Sequence, residues 1–130
     1  MKNHTQLNLW QNEMSGSLLN EMNQCLRDVN LLKARSLFIS EAINSSSAKK
    51  VVSDLLTLDA MNSDPIYIYI NSPGGEINSG FSIYDTIHYI GSEVKVISTG
   101  LCASIATIIN VAAKKENRFS MPNARFLIHQ

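Results

Sequence analysis

The chain has little of what marks the specialised classes of protein. Only two of its 130 residues are cysteine, Cys25 and Cys102, far apart and in no metal-binding spacing. A disulfide framework is therefore not expected, and a reducing compartment suits the chain better. No charge sign dominates: eleven Lys and Arg balance eleven Asp and Glu, and charged residues make up only 17% of the chain. Nucleic-acid binding by a basic face is not supported, and no block of like charge marks an interaction tail. Long apolar runs are missing too. The longest, Ile105 to Ala113, is broken by Thr107 and Asn110 and is too short to span a bilayer. The opening MKNHTQLNLWQNEMSG has no apolar centre, so no secretory signal is expected. What remains is a 45% hydrophobic chain of zero net charge, long enough to bury a core as one globular domain.

Its texture changes along the length. Residues 1 to about 32 are polar, with Leu18, Leu19, Met22, Leu26 and Val29 recurring at the spacing of a short amphipathic helix. Ser36–Ile39 reads as a short strand. Several serines from Ser45 offer caps for a helix carrying Val51, Val52, Leu55, Leu56 and Leu58, which must end before Pro65. Ile66–Ile70 is β-branched and aromatic with no charge, the pattern of a central parallel strand covered on both faces. Asn71-Ser-Pro-Gly-Gly75 is the densest turn signal. Ile77, Phe81, Tyr84 and Ile87 then mark one face of a second helix closed by Gly91, followed by a strand at Val94–Ser98. A third helix is expected over Ser104–Ala113 and a last strand over Arg125–His129. Alternation of this kind predicts an α/β fold of repeated right-handed βαβ units. Neither glycine-rich turn has dinucleotide or phosphate-loop spacing, so no nucleotide site is expected.

Sites in parallel sheets form where strands end and helices begin. After the second strand, Gly74 and Gly75 let backbone N–H groups approach a ligand closely. After the third, Gly100-Leu-Cys-Ala-Ser104 is expected to turn tightly and deliver a hydroxyl to a helix N-terminus, where negative charge is favoured. The N–H groups of Gly75 and Ile105 could form an oxyanion hole. A serine nucleophile needs a base. His129 falls at the same sheet edge, whereas His88 is far along its helix and His4 lies in the polar N-terminal stretch. Each feature has a plainer reading: a helix cap, a packed strand histidine, a turn. A generic G-x-S-x-G elbow is absent, since residues 102–106 read Cys-Ala-Ser-Ile-Ala. Cys102, with no basic neighbour, reads as a buried filler before a nucleophile.

The wider string resembles the proteolytic subunit of the Clp protease family. The resemblance is carried by Ile68-Tyr-Ile-Asn-Ser-Pro-Gly-Gly75, Ile83-Tyr-Asp-Thr86, Gly100-x-x-Ala-Ser104, Arg118-Phe-x-x-Pro-Asn-x-Arg125 and Ile128-His-Gln130, with Leu31-Leu-Lys-x-Arg35 ahead of them. It covers about residues 31–130. It implies a crotonase-like α/β fold, C-terminally incomplete here, with residues 1–30 as a divergent N-terminal segment in the axial-loop region and 31–130 as the catalytic domain. It also implies a serine endopeptidase of stacked seven-membered rings, homo- or hetero-oligomeric, that degrades unfolded polypeptides fed by a Clp-type ATPase unfoldase. Position by position, Ser104 matches the nucleophile, His129 the base, the Gly75 and Ile105 N–H groups the oxyanion hole, and Gly74 with Gly75 the substrate-binding turn. No metal or cofactor is implied for this chain, ATP being used by the unfoldase. No nucleic-acid or membrane partner is implied, and the location would be cytoplasmic, with a plastid stroma as alternative.

The chain departs from the family pattern in three places. Residues 1–30 do not follow the usual pore-lining segment. Ile105 and Ala106 stand where methionine and glycine are usual. The family's acidic triad member and ring-joining helix fall beyond Gln130, so the 130 residues alone are expected to be a poor peptidase. Two other readings stay open: a catalytically silent ring subunit beside an active paralogue, and an acyl-CoA enzyme of the wider crotonase fold.

Overall fold

The structure, a computed structural model, describes residues 15–129. The chain divides into two compact units, Met1–Lys33 and Ala34–Gln130. In the first, helix α1 spans Gly16–Lys33. Ser15 caps it, its Oγ accepting from the Leu18 N–H at 3.4 Å, and Lys33 closes the last turn, where a cation suits the helix dipole. His4 lies outside the described residues.

The second unit is a parallel sheet with one α-helix between each pair of successive strands from β1 to β4, whereas β4 and β5 are joined by a short turn. Its elements are β1 (Ser36–Ile39), α2 (Ser45–Met61), β2 (Ile66–Ser72), α3 (Ile77–Tyr89), β3 (Val94–Ala103), α4 (Ile105–Ala112), a 3₁₀ turn (Lys115–Asn117), β4 (Arg118–Ser120) and β5 (Arg125–Leu127). The order is β1-β2-β3-β4, with β5 also pairing β3. Since β2 runs along one edge of β3, the short β4 and β5 share the other in succession, at Val96–Ser98 and Leu101–Ala103.

The core lies between sheet and helices. Ile66, Ile68 and Ile70 of β2, Val96 of β3, Leu55 and Leu58 of α2 and Ile109 of α4 are fully buried. Helix α2 starts with a reciprocal cap in which the Asn44 side chain accepts from the Ser47 N–H and Ser47 Oγ accepts from the Asn44 N–H. The cap is thus Asn44 and not one of the serines. Its buried stripe is Ala48, Val51, Leu55 and Leu58; Val52 is half-buried and Leu56 exposed.

Four other expectations are corrected. Helix α3 buries Ser79, Gly80, Ile83 and Ile87, whereas Ile77 and Phe81 face solvent. Bulky residues marked the wrong stripe, because small residues line the inner one. Gly91 does not cap α3 in a left-handed conformation; the cap is Ile90, in extended backbone. Strand β2 is central but not covered on both faces, since Tyr67 and Tyr69 are half-buried. Strand β3 does not turn at Gly100 but runs on to Ala103.

The run-on has a physical cause. Ile70 pairs with Ser98 but Ser72 with Cys102, so between these pairs Asn71 alone on β2 faces three residues, Thr99–Leu101, on β3. The Asn71 side-chain oxygen fills the gap in the ladder by accepting from the Leu101 N–H at 3.0 Å. Gly100 sits at φ 95° against that amide, where an added Cβ would lie 2.6 Å from Asn71 Oδ1. A glycine bulge of this kind re-aims a strand without ending it. It sets the direction in which β3 leads into Ser104.

Candidate active site

The region around Ser104 is assembled from three segments of the second unit: the turn after β2, the junction of β3 with α4, and the chain after β5. Each is held by backbone groups.

The first is Asn71–Gly75. Ser72 is fully buried, and its hydroxyl donates to the Glu41 carbonyl at 2.7 Å while accepting from the Gly74 N–H at 3.1 Å. Gly74, at φ 92°, lies so close to the β3–α4 junction that a Cβ would be 2.8 Å from Ser104 Cβ and 3.2 Å from Ile105 N. Only glycine lets the two turns meet. On the other side, Ile43 N–H donates to the Gly74 carbonyl at 2.9 Å and Glu76 N–H to the Ile43 carbonyl at 2.8 Å. Residues flanking Gly75 thus make the bridge to Ile43. Because backbone groups alternate in an extended chain, the Gly75 N–H is turned the opposite way.

The second is Ser104. It precedes α4 at φ 55°, ψ −126°, a conformation that L-residues rarely adopt, and makes no side-chain cap bond. Ser104 thus holds the N-cap position without capping through its hydroxyl. A non-glycine residue there is strained by about 1–3 kcal/mol and persists only where its surroundings over-determine it. They do. Its N–H donates to the Leu127 carbonyl at 2.9 Å, and its own carbonyl accepts from Thr107 N–H at 3.0 Å and Thr107 Oγ1 at 2.6 Å.

The third is the chain after β5. The expected strand over Arg125–His129 ends at Leu127, so His129 follows it by two residues and is exposed. Parallel pairing of Leu101 with Arg125, Cys102 with Phe126 and Ala103 with Leu127 brings Ser104 and His129 to the same end of neighbouring strands. The site edge thus holds Gly74, Gly75, Ser104, Ile105 and His129. His88 is in the last turn of α3 and is not among them.

Cys102 is fully buried, and burial pushes its thiol up, against a smaller opposing effect of a hydrogen bond to Ser98. A thiol held protonated is a poor nucleophile. Sequence reasoning missed Asn71 and Ser72, whose only signal was their place in the turn string. Among the described residues no cluster of His, Cys, Asp and Glu could hold a metal ion. No described helix is long and apolar enough to cross a membrane.

Comparison with known proteins decides the family: the Clp protease family profile matches residues 20–130. The chain belongs to the Clp protease family. It is 47% identical over 100 residues to the ATP-dependent Clp protease proteolytic subunit of Carsonella ruddii, covering 77% of this chain and 52% of that protein. It is 48% identical over 103 residues to proteolytic subunit 3 of Rhizobium johnstonii, covering 79% and 53%. Among solved structures, ClpP1 from Listeria monocytogenes superimposes with a TM-score of 0.77 at 45% identity, over 79% of this chain and 61% of that one. The ClpP catalytic domain from Plasmodium falciparum gives 0.76 at 45% identity, over 78% and 59%. The chain spans about half the length of the curated relatives it matches. The fold is thus the crotonase-like α/β fold of Clp proteases.

Proposed function

We propose that this sequence is part of a serine-type endopeptidase subunit of an ATP-dependent degradation machine, with Ser104 as nucleophile and His129 as its general base. One observation carries the reading: a serine strained at a helix N-terminus, its hydroxyl making no cap bond, donates its N–H to the carbonyl of Leu127, two residues ahead of a histidine.

In the reaction, His129 takes the proton from Ser104 Oγ as that oxygen attacks the peptide carbonyl. Negative charge then develops on the carbonyl oxygen and is met by the Gly75 and Ile105 N–H groups, the latter in the first turn of α4. The tetrahedral intermediate collapses as His129 returns the proton to the leaving amine, giving an acyl-enzyme and a free amino terminus. Water, deprotonated by the same imidazole, releases the acid and restores Ser104. These steps call for no metal or organic cofactor in this chain.

Substrates would be unfolded polypeptides, bound extended beside Gly74 and Gly75 so that backbone pairing gives affinity with little sequence preference. Residues 31–130 would be the catalytic domain and residues 1–30 the axial segment. The subunit would work in stacked heptameric rings with a Clp-type ATPase unfoldase, in the cytoplasm or a comparable reducing compartment. Curated relatives named as proteolytic subunits support this reading over a silent ring subunit or an acyl-CoA enzyme. The test is active-site labelling with a fluorophosphonate. The probe should attach to Ser104, and attachment elsewhere or equal labelling of Ser104→Ala would refute the assignment.

A further inference from the structure

Between α3 and α4 a side chain occupies the place of a missing one. An ideal Cβ added to Gly80 would run into Cγ1 of Ile105 and lie 3.2 Å from its Cβ and Cδ1. Ile105 is 6% exposed, with Ala106 and Ile109 beside it in α4 fully buried. Its branched side chain is therefore a peg seated in the notch that Gly80 leaves open. We propose that Gly80 and Ile105 form a positioning pair that holds Ser104 in its strained conformation and the Ile105 N–H in its aim. The proposal rests on the catalytic reading of Ser104 above.

The stiffness of isoleucine makes the pair matter. A β-branched side chain is stiff at χ1, and Ile105, almost wholly buried, has little room to swing aside if the notch is filled. The atoms that would be struck lie next to its backbone and not at a flexible tip. The displacement must pass to the main chain at the start of α4, whose neighbours are fixed. Ser104 is tied behind it through Leu127, and Gly74 lies so near that a Cβ added to it would come within 3.2 Å of Ile105 N. With those contacts set, the peg depth fixes where the first turn of α4 sits. Gly80 touches no reacting atom, so it acts through Ile105.

Sequence reading pointed to Ile105 as a departure in the family pattern but gave no reason for its tolerance. The notch at Gly80 supplies one. A side chain branched at Cβ fits because its neighbour has no Cβ.

The test compares Gly80→Ala, Ile105→Ala and the double variant in the protein carrying this sequence, by two readouts. The first is fluorophosphonate labelling, separated into maximal rate and half-saturating concentration. The second is hydrogen exchange of the Ser104 N–H, which needs no activity. Gly80→Ala should lower the maximal labelling rate about tenfold or more, because small displacements of a nucleophile cost heavily, and leave half-saturation nearly unchanged. It should also speed exchange at Ser104. Ile105→Ala, which empties the notch without adding an atom to the packed interface, should show the same two signs more weakly. In the double variant the new methyl replaces the lost peg, so both readouts should return to within about threefold of the parent, a coupling expected only of touching residues. Parent-like rates in both single variants, or a double variant as slow as the slower single one, would overturn the pair. A parent that does not label at all would refute the peptidase reading, and the exchange readout would still decide whether the pair holds Ser104.

Discussion

The N–H of Ser104 donates to the carbonyl of Leu127 at 2.9 Å, joining the first residue past β3 to the last residue of β5. This bond extends the parallel β3–β5 pairing by one step into the strained residue. It makes the geometry of Ser104 depend on a strand whose residues are exposed and whose length is three. The two segments that would carry nucleophile and base are thereby joined through a backbone hydrogen bond.

The strain at Ser104 predicts a trade between stability and function. Replacing it with glycine removes the conformational penalty, whereas alanine retains it. Ser104→Gly should therefore be more stable than Ser104→Ala by about 1 kcal/mol, after allowing for the greater entropy of unfolded glycine. Both should lose fluorophosphonate labelling. Thermal or urea melts of the two proteins check the first part, and equal stability would mean that φ 55° costs nothing here.

A second prediction concerns Gly75. A Cβ there would collide with the Ile43 carbonyl and lie 2.8 Å from Ile43 N, so the bridge that orients the turn must break or shift. With the proposed oxyanion donor displaced, turnover in Gly75→Ala should fall about 10²–10³-fold, the usual cost of losing one such donor. Gly91→Ala is the control, because a Cβ at Gly91 would meet only Asp59 Oδ1, at 3.9 Å. It should retain activity. Loss of activity in both, or in neither, would separate a general effect of glycine replacement from the one proposed.

These residues also show what the sequence could disclose. The strands and helices of the second unit were legible where apolar runs met turn signals, as at Ile66–Ile70 and Val94–Ser98. The placement of Ser104, His129 and the two glycines at strand ends was legible because such ends collect at one edge of a parallel sheet. The course of β3 past Gly100 was not legible, since it depends on Asn71 reaching across to Leu101 from another strand. The inner face of α3 was misread for a related reason. Periodicity rewards bulk, and the contact that α4 requires is made by Gly80. Strand β4 escaped notice because Arg118-Phe-Ser120 is three residues long with one apolar member, too short to show an alternation.

Arg35 carries a third prediction, on stability. It is 6% exposed at φ 51°, and its guanidinium donates to the carbonyls of Leu58, Asn62, Asp64 and Pro65 and to Ser92 Oγ. Those carbonyls belong to the end of α2 and the approach to β2, and a helix end without partners is costly. Lysine preserves charge but not the planar fork, so it cannot reach so many acceptors at once. Arg35→Lys should therefore destabilise the second unit by about 2–3 kcal/mol, with buried carbonyls left unpaired. Denaturant melts measure it. A change below about 0.5 kcal/mol, the range of ordinary surface substitutions, would show that charge alone suffices.

The last prediction follows from Asp59, beside that cluster. Its carboxylate accepts from Ser92 Oγ at 2.8 Å and from Ser92 N–H at 2.9 Å. The Ser92 hydroxyl, then the Ser92 and Gly91 backbone N–H groups and the Arg35 charge hold it below the ordinary aspartate range, against a smaller opposing effect of desolvation. A carboxyl with a lower pKa folded than unfolded binds fewer protons in the folded state. Its stabilising contribution is thus fully present above the unfolded value of about 3.9 and fades as pH falls through the folded one. Asp59→Asn should melt below the parent at pH 7, and the gap should close as pH drops below about 4. Ser92→Ala removes the largest cause while leaving the carboxyl, so carbon-detected NMR titration should show the Asp59 midpoint moving upward. A gap in melting temperature that stays constant from pH 7 to pH 3, or an Asp59 midpoint unmoved by Ser92→Ala, would mean that the ionised carboxylate contributes nothing to holding α2 against the turn before β3.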